Sequence, residues 1–345
     1  EIKQDYWSYV KRQFRKNKRA LFSMYLVMFM LFIAVFADFL ANEKPIMCTY
    51  QGKTYFPVFK EYAVKLKLGK FPPELNNIIW TDTKFDFALR APIPYSPTSQ
   101  DILNFGFVSP FGKQDVPSVR WRHWLGTEGI GRDILSALIH GTRIAFIIGL
   151  ISMSIASLIG ILLGSLAGFF GDKGIQVSRA SLIMGVLFSG LGLFYANAFH
   201  GIFTGILVFL VCLFVGFLIS RVLKKIPFLA PKTSLPLDII VQRMIEVLVS
   251  IPRLFLIIAV VAISKPSIFL VMVVIGLTSW TEIARFIRAE LLKIRSLEYI
   301  EASEALGFPK WRILLKHAIP NALSPVLITI AFGIAAAILT ESFLS

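Results

Sequence analysis

The chain has 345 residues, of which 56% are hydrophobic, with a mean hydropathy of +0.70. A soluble domain carries roughly 45–50% apolar residues, so composition excludes an ordinary water-soluble globule and turns much of the surface toward lipid. The formal charge of +15 lies in short clusters beside apolar runs, with no extended stripe or charged tail. That pattern reads as membrane-topology signalling and excludes a nucleic-acid binder.

The chain opens on Glu1 and not on Met, so further N-terminal residues are expected. Seven stretches meet or approach the roughly twenty helical residues needed to cross a hydrocarbon core of about 30 Å: 20–40, 144–170, 181–199, 202–220, 239–263, 266–283 and 319–340. The first lacks a small-residue cleavage site and reads as a span, not a removable signal. Only Lys265 and Pro266 divide the fifth from the sixth. Residues 1–19 carry Lys11, Arg12, Arg15, Lys16, Lys18 and Arg19, which places the N-terminus in the cytoplasm by the bias of short basic flanks. Counting crossings from there, the cytoplasmic loops are 171–180, 221–238 and 284–318. The short outer turns hold His200 and Lys265, and Ser345 falls on the outer side.

Residues 41–143 form a long polar, Pro-dotted outer segment containing Tyr50, Trp80, Tyr95, Trp121 and Trp124. Apolar and polar residues alternate only briefly, from Lys53 to Val58, so a small, partly β loop domain is expected. The remainder, 144–345, is the membrane core. Cys48 and Cys212 cannot form a disulfide scaffold, and no Cys/His cluster has metal-ligand spacing.

The segment from Trp280 to Asn321 is the most informative. Glu298 to Leu306 reads as a short helix closed by Gly307 in positive φ. Pro309 suits the first turn of a second helix through Trp311, Arg312, Leu315 and Lys316, until Pro320 and Asn321 open the next span. A helix–turn–helix at the membrane surface results.

The run Glu301-Ala302-Ser303-Glu304-Ala305-Leu306-Gly307, followed by Ile319-Pro320-Asn321, resembles the EAA loop of ABC importer permeases. Trp280, Ala284-Arg285, Arg288 and Tyr299 match its peptide/nickel version. Trp124-Leu125-Gly126-Thr127-Glu128 through Gly131-Arg132-Asp133, then Gly141-Thr142-Arg143, resembles a segment before that family's second helix. Gly168-Phe169-Phe170-Gly171 resembles its "GYYG" turn, and Ser250-Ile251-Pro252 with Leu254 and Leu256 its "SIPxLxL" helix. These matches cover roughly 120–174 and 236–345. In the N-terminal part, Ala41-Asn42-Glu43-Lys44-Pro45 and Tyr55-Phe56-Pro57 resemble the Yej-type oligopeptide and microcin C subgroup.

The resemblance implies an all-α, polytopic type I ABC importer permease in the bacterial inner membrane, with an extracytoplasmic loop domain. It also implies a heterodimeric sister permease, two cytoplasmic ATPase subunits carrying ATP and Mg, and an external peptide-binding protein; the chain itself would be no enzyme and bind no cofactor. Carried over, Glu301, Ala302, Ala305, Leu306, Gly307, Phe308, Lys310, Pro320 and Asn321 form the ATPase-coupling loop, with Trp280, Arg285, Arg288 and Tyr299 anchoring it. Two departures stand out. About sixty residues with two apolar spans are inserted near 175–235, expected as a peripheral hairpin whose Gly185, Gly190 and Gly192 allow close helix packing. After Leu344 the family continues to a final span, which is expected to follow.

Arg253, beside the kink expected at Pro252, is the ionisable side chain deepest in a span. It either lines the translocation path or pairs with Glu246 or a partner chain. His123, His140, His200 and His317 are too scattered for a metal site or triad and read as surface or interface residues. Gly126 to Gly131 lacks the Gly-Lys-Ser/Thr ending of a phosphate loop. A proton- or ion-coupled secondary transporter is the rival function; it needs buried carboxylates, and only Glu246 and Glu282 lie near span interiors. An intramembrane enzyme would need a nucleophile–base pair, and none is visible.

Overall fold

A computed structural model describes residues 6–76, 78–81, 83–198, 202–265 and 267–344. His200, Pro266 and Ser345, named above, lie outside them. The chain divides into two compact units, Glu1–Ile148 and Gly149–Ser345.

In the first unit, α1 (Tyr6–Lys16) leads to α2 (Lys18–Val35), whose start is capped by the Asn17 side chain accepting from the Ala20 amide at 3.2 Å. A short α3 (Ala37–Leu40) follows. β1 (Met47–Tyr50) pairs antiparallel with β2 (Lys53–Tyr55), and then comes α4 (Pro57–Lys65). β3 (Phe87–Leu89) adds on the other side of β1, placing Cys48 between Tyr55 and Ala88. The small core of Ala41, Ile93 and Tyr95 packs under Trp121, Leu135 and Ile139. α5 (Ile134–Ser165) starts well before the apolar run expected at 144. Ile134, Leu135, Leu138 and Ile139 are apolar, but His140 and Arg143 interrupt the run and set the sequence-based start at 144.

The second unit holds the remaining helices. α5 ends in one π-helical turn, Leu166–Phe170, stopped by Gly171. β4 (Gln176–Ser178) pairs antiparallel with β5 (Lys232–Ser234), and between them rise α6 (Arg179–Ala198) and α7 (Ile202–Leu223). The insertion is therefore a helical hairpin clipped at its base. Gly192 lies against Phe209 and Gly216 against Phe188, so the two arms pack on each other, while Gly185 and Gly190 face open space.

α8 (Leu237–Ser250) and α9 (Arg253–Ile263) meet at 77°. Pro252 lacks an amide hydrogen and pushes Ile251 into extended backbone, which ends the first helix. At 1.5 Å per residue, α9 is about 16 Å long and cannot cross a bilayer alone. α10 (Ile268–Ile294) runs 27 residues, past the end expected at 283. After α11 (Glu298–Ala305) and α12 (Lys310–Ile313), a second π turn, Leu314–Ala318, joins directly to α13 (Ile319–Ser342). Each of the seven apolar stretches thus has a helical counterpart: six helices long and apolar enough to span a membrane, and the bent pair.

The axis of this unit is the α5–α10 contact. Gly160, Gly164 and Gly168 recur every four residues and form one stripe on α5. A Cβ at Gly160 would lie 2.9 Å from the Trp280 carbonyl oxygen, one at Gly164 2.9 Å from Ala284 Cα, and one at Gly168 2.9 Å from Arg288 Cα. The absence of side chains lets the backbones touch, the device membrane helices use where apolar burial supplies no attraction. Ser152 Oγ donates to the Met272 carbonyl at 2.9 Å farther along the same seam.

Candidate functional site

The segment after α10 is a closed, exposed turn. Gly307 N–H donates to Glu304 O at 2.9 Å and Phe308 N–H to Ser303 O at 3.2 Å, the paired bonds of a Schellman motif. They require Gly307 at φ +77°, and nothing surrounds the place where its Cβ would be. Glu298 and Glu301 lie in the first turn of α11, where the helix dipole favours negative charge. Ile300, Ile313 and Leu314 are buried and hold the inner side of the turn. Leu306, at 77% exposure, projects from the outer side with Phe308 and Trp311. Lys310 lies 3.9 Å from Glu304 across the turn.

Of the residues expected to couple to another subunit, Glu301, Ala302, Ala305, Leu306, Gly307, Phe308 and Lys310 share this exposed surface. Pro320 and Asn321 stand in the first turn of α13, as expected, but no break precedes them: α12, the π turn and α13 follow one another as one continuous helical stretch, Lys310–Ser342. Asn321 Nδ2 donates to His317 O at 2.7 Å and to the Tyr299 hydroxyl at 3.3 Å, linking α11 to that stretch.

The anchoring residues separate. Arg288 makes a two-pronged bond to Asp238 on α8, with Nη2 to Oδ2 at 2.7 Å. Trp280 is buried at 4% exposure. Arg285 is exposed and makes no ion pair among the described residues. The turn that ends α5 reaches the same surface: the Phe170 and Trp311 rings lie 4.7 Å apart. A cleft of about 460 Å³ opens between Phe169, Lys173, Arg295, Glu301 and Lys310.

Pro252 makes the break described above. Arg253, the first residue of α9, donates from Nη2 to Ser279 Oγ on α10 at 2.7 Å, while its Nε is buried without a partner. The pair with Glu246 does not form. Glu246 takes Arg243, one turn earlier on the same exposed face, at 2.6 Å.

In the first unit, the histidine reading needs correction. His123 is fully buried, stacked 4.1 Å from Tyr95, and placed between Asp133 (Nδ1 to Oδ2, 2.9 Å) and Asp101 (Nε2 to Oδ2, 3.1 Å). Burial alone would lower its pKa, but the bonds to the two carboxylates outweigh it and raise the imidazole above its ordinary value. Asp101 is lowered: burial opposes the shift, and the bonds from Asn104, His123 and Leu103 prevail. Asp133 also caps α5, its Oδ1 accepting from the Ser136 amide at 2.6 Å. Thr127 Oγ1 donates to Asn104 O at 2.8 Å and accepts from the Val108 amide at 3.1 Å. The segment from Gly126 to Asp133 is thus a knot that starts a helix. Nearby, Arg143 Nε donates to Ala34 O at 2.7 Å at the end of α2, and its Nη1 holds Asp38 at 2.7 Å, to which Tyr62 also donates. His140 bonds Ala41 O at 2.8 Å. Apart from the local Asp133–Ser136 cap and the bonds to Asp101 from Leu103 and Asn104, none of these partners was evident from spacing, because the paired residues lie 10 to 109 positions apart in the sequence.

Long apolar helices, a bent pair and an exposed, closed helical turn are consistent with an all-α polytopic membrane permease. The family described as the binding-protein-dependent transport system inner membrane component matches residues 228–345. The N-terminal transmembrane domain of oligopeptide transport permease C matches residues 5–56. The chain is 26% identical over 332 residues to the inner membrane ABC transporter permease protein YejE of Escherichia coli (strain K12), covering 95% of this chain and 77% of that protein. It is 25% identical over 350 residues to the peptidoglycan transport system permease protein YejE of Agrobacterium fabrum, covering 95% and 75%. The oligopeptide transport system permease protein OppC of Bacillus subtilis is 26% identical over 223 residues, covering 65% and 52%. The chain is thus similar, over two matched segments and in two alignments covering 95% of its length, to permease subunits of ABC importers, some of them named for oligopeptide transport, which supports a transmembrane permease over the rival reading as a secondary transporter.

Proposed function

We propose that this permease carries peptides inward as one half of a heterodimeric conduit, with its N-terminus and the segment 284–318 facing the cytoplasm. ATP and Mg bind on two separate ATPase subunits, and an external binding protein delivers the cargo. Glu301, Ala302, Ala305, Leu306, Gly307, Phe308 and Lys310 dock on an ATPase subunit. Pro320, Asn321 and Tyr299 pass its movement into α13, while Trp280, Arg285 and Arg288 hold α10 in place. Peptide is the cargo class because a family model named for oligopeptide transport matches residues 5–56 and an oligopeptide permease of Bacillus subtilis aligns over 65% of the chain.

The observation that carries this reading is the exposed Schellman turn: a rigid backbone loop presents apolar side chains that its own chain leaves uncovered. Docking of that kind buries Leu306 and Phe308 against a partner, and the hydrogen-bonded closure transmits displacement without fraying. Arg253 and Pro252 line the path at the break between α8 and α9, where a charged side chain with a spare donor can hold a peptide carboxylate.

The test replaces Gly307 with Val in the full complex of both permeases and both ATPase subunits. A side chain at φ +77° costs about 1–2 kcal/mol, yet it meets no neighbour, so the complex assembles. Peptide-stimulated ATP hydrolysis and uptake are expected to fall together. Undiminished coupling in an assembled Gly307→Val complex refutes the docking assignment.

A further inference from the structure

From Lys173 to Leu237 the sequence contains six basic side chains and no acidic one. Five of them, Arg179, Arg221, Lys224, Lys225 and Lys232, are exposed at the clipped base of the α6–α7 hairpin. None has a carboxylate partner among the described residues; the ion pairs of this unit involve Asp238, Glu246 and Glu304 elsewhere. The fold concentrates them. Ser178 pairs with Lys232 across the β4–β5 ladder, Arg179 N–H donates to Pro231 O at 3.1 Å, and Lys224 follows directly on α7. Immediately above this rim the hairpin is apolar and open, with Phe217 51%, Val222 66% and Phe228 74% exposed. The Arg221 guanidinium lies 5.0 Å from the Phe217 ring and that of Arg179 5.9 Å from Phe228, so the charges sit where the apolar wall begins.

We infer that the base of this hairpin is a binding site for anionic phospholipid, with the headgroup phosphate held among Arg179, Arg221, Lys224, Lys225 and Lys232 and the acyl chains lying along Phe217, Val222 and Phe228. The orienting bias of short basic loops explains why such residues accumulate beside a span, but it does not require them to stay unneutralised. The segment 284–318 in the same unit shows the contrast: its seven basic residues are interspersed with Glu290, Glu298, Glu301 and Glu304. An acidic protein segment would satisfy the charges and leave the adjoining apolar wall uncovered. A phospholipid satisfies both, since it carries its phosphate at the depth where its chains begin. Juxtamembrane Lys and Arg each gain about 1 kcal/mol at an anionic surface, so the cluster suffices to select one headgroup charge over another.

The test uses the full chain in nanodiscs of either phosphatidylcholine alone or a phosphatidylcholine–phosphatidylglycerol mixture, with hydrogen exchange read over residues 221–235 and retained lipid counted by native mass spectrometry. Phosphatidylglycerol is expected to protect this segment and to be retained on extraction. The triple variant K224Q/K225Q/K232Q is expected to lower its retention at least roughly tenfold. The charge-conserving K224R/K225R/K232R keeps it, which separates lost charge from lost fold. Added glycerol phosphate is expected not to compete; displacement by it would show a soluble-phosphate site and overturn the lipid assignment. Equal protection in both lipids, or retention unchanged in the glutamine variant, would overturn it as well. Protection conferred instead by an acidic peptide in phosphatidylcholine discs would assign the surface to a protein partner.

Discussion

At the scale of single residues, two positions separate packing from conformation. Gly164 touches α10 backbone, so Gly164→Val forces two helices apart and is expected to cost about 1–3 kcal/mol, seen as a lower midpoint in thermal unfolding of the solubilised protein. Gly185→Ala, directed into open space, is expected to leave that midpoint unchanged or raise it, because Ala favours helix. Equal losses at both positions would show that the glycine stripe is not the contact. His123 gives a pH signature. Its folded pKa is raised, so its contribution is complete below the unfolded value of about 6.5 and disappears as pH climbs through the folded value. Asp101 is lowered, so its contribution is complete above about 3.9 and is lost as pH falls through its folded value. Amide protection around residues 101–104 and 126–133, corrected for intrinsic exchange, is therefore expected to be highest at mildly acidic pH. His123→Gln should flatten the alkaline limb; an unchanged profile would remove the imidazolium from the account.

At the scale of elements, the Arg288–Asp238 fork ties α8 to α10 while both groups are mostly shielded, with side-chain exposures of 26% and 16%. Removing one partner strands the other, so Arg288→Ala is expected to cost about 3 kcal/mol. Arg288→Lys keeps the charge without the two-pronged geometry and should fall between. Both are read by thermal unfolding, and an Ala variant as stable as the parent would make the pair incidental. The hairpin behaves oppositely. Because α6 and α7 pack on each other and both strands of the clip precede or follow them, replacing residues 179–231 by Asn-Gly turns the clip into an ordinary two-residue hairpin. The remaining helices of the second unit are expected to insert and stay folded, tested by membrane fractionation and gel filtration. Aggregation of the shortened chain would mean that the hairpin supports the rest.

At the scale of the whole molecule, six long apolar helices and the bent α8–α9 pair were legible because length and apolarity decide whether a helix can live in lipid, and both are written in sequence order. Where helices end was less legible. Residues 284–294 read as loop because they carry Arg285, Arg288 and Glu290, yet they are amphipathic, and Ala284, Ile287, Leu291 and Ile294 are buried along α10. Pro320 read correctly as the start of a helix, and only the absence of a break before it was hidden: a π turn joins α12 to α13. The surface formed by Glu301 to Lys310 was visible through its motif and the Gly307 stop. The partners of His123 and Arg253 were not, because Asp101, Asp133 and Ser279 come from separate stretches that only the folded backbone aligns. Cysteine-scanning of the whole protein in oriented vesicles checks the proposed orientation: labels at Lys310 and Lys316 should react only with reagent on the cytoplasmic side.

The two underwound turns, Leu166–Phe170 and Leu314–Ala318, flank the same aromatic contact, that of Phe170 with Trp311. Each already holds one residue more per coil than an ordinary helix. A small axial slip at this junction is accommodated by moving that surplus residue along, so the long rods on either side keep their hydrogen bonds while their ends change phase.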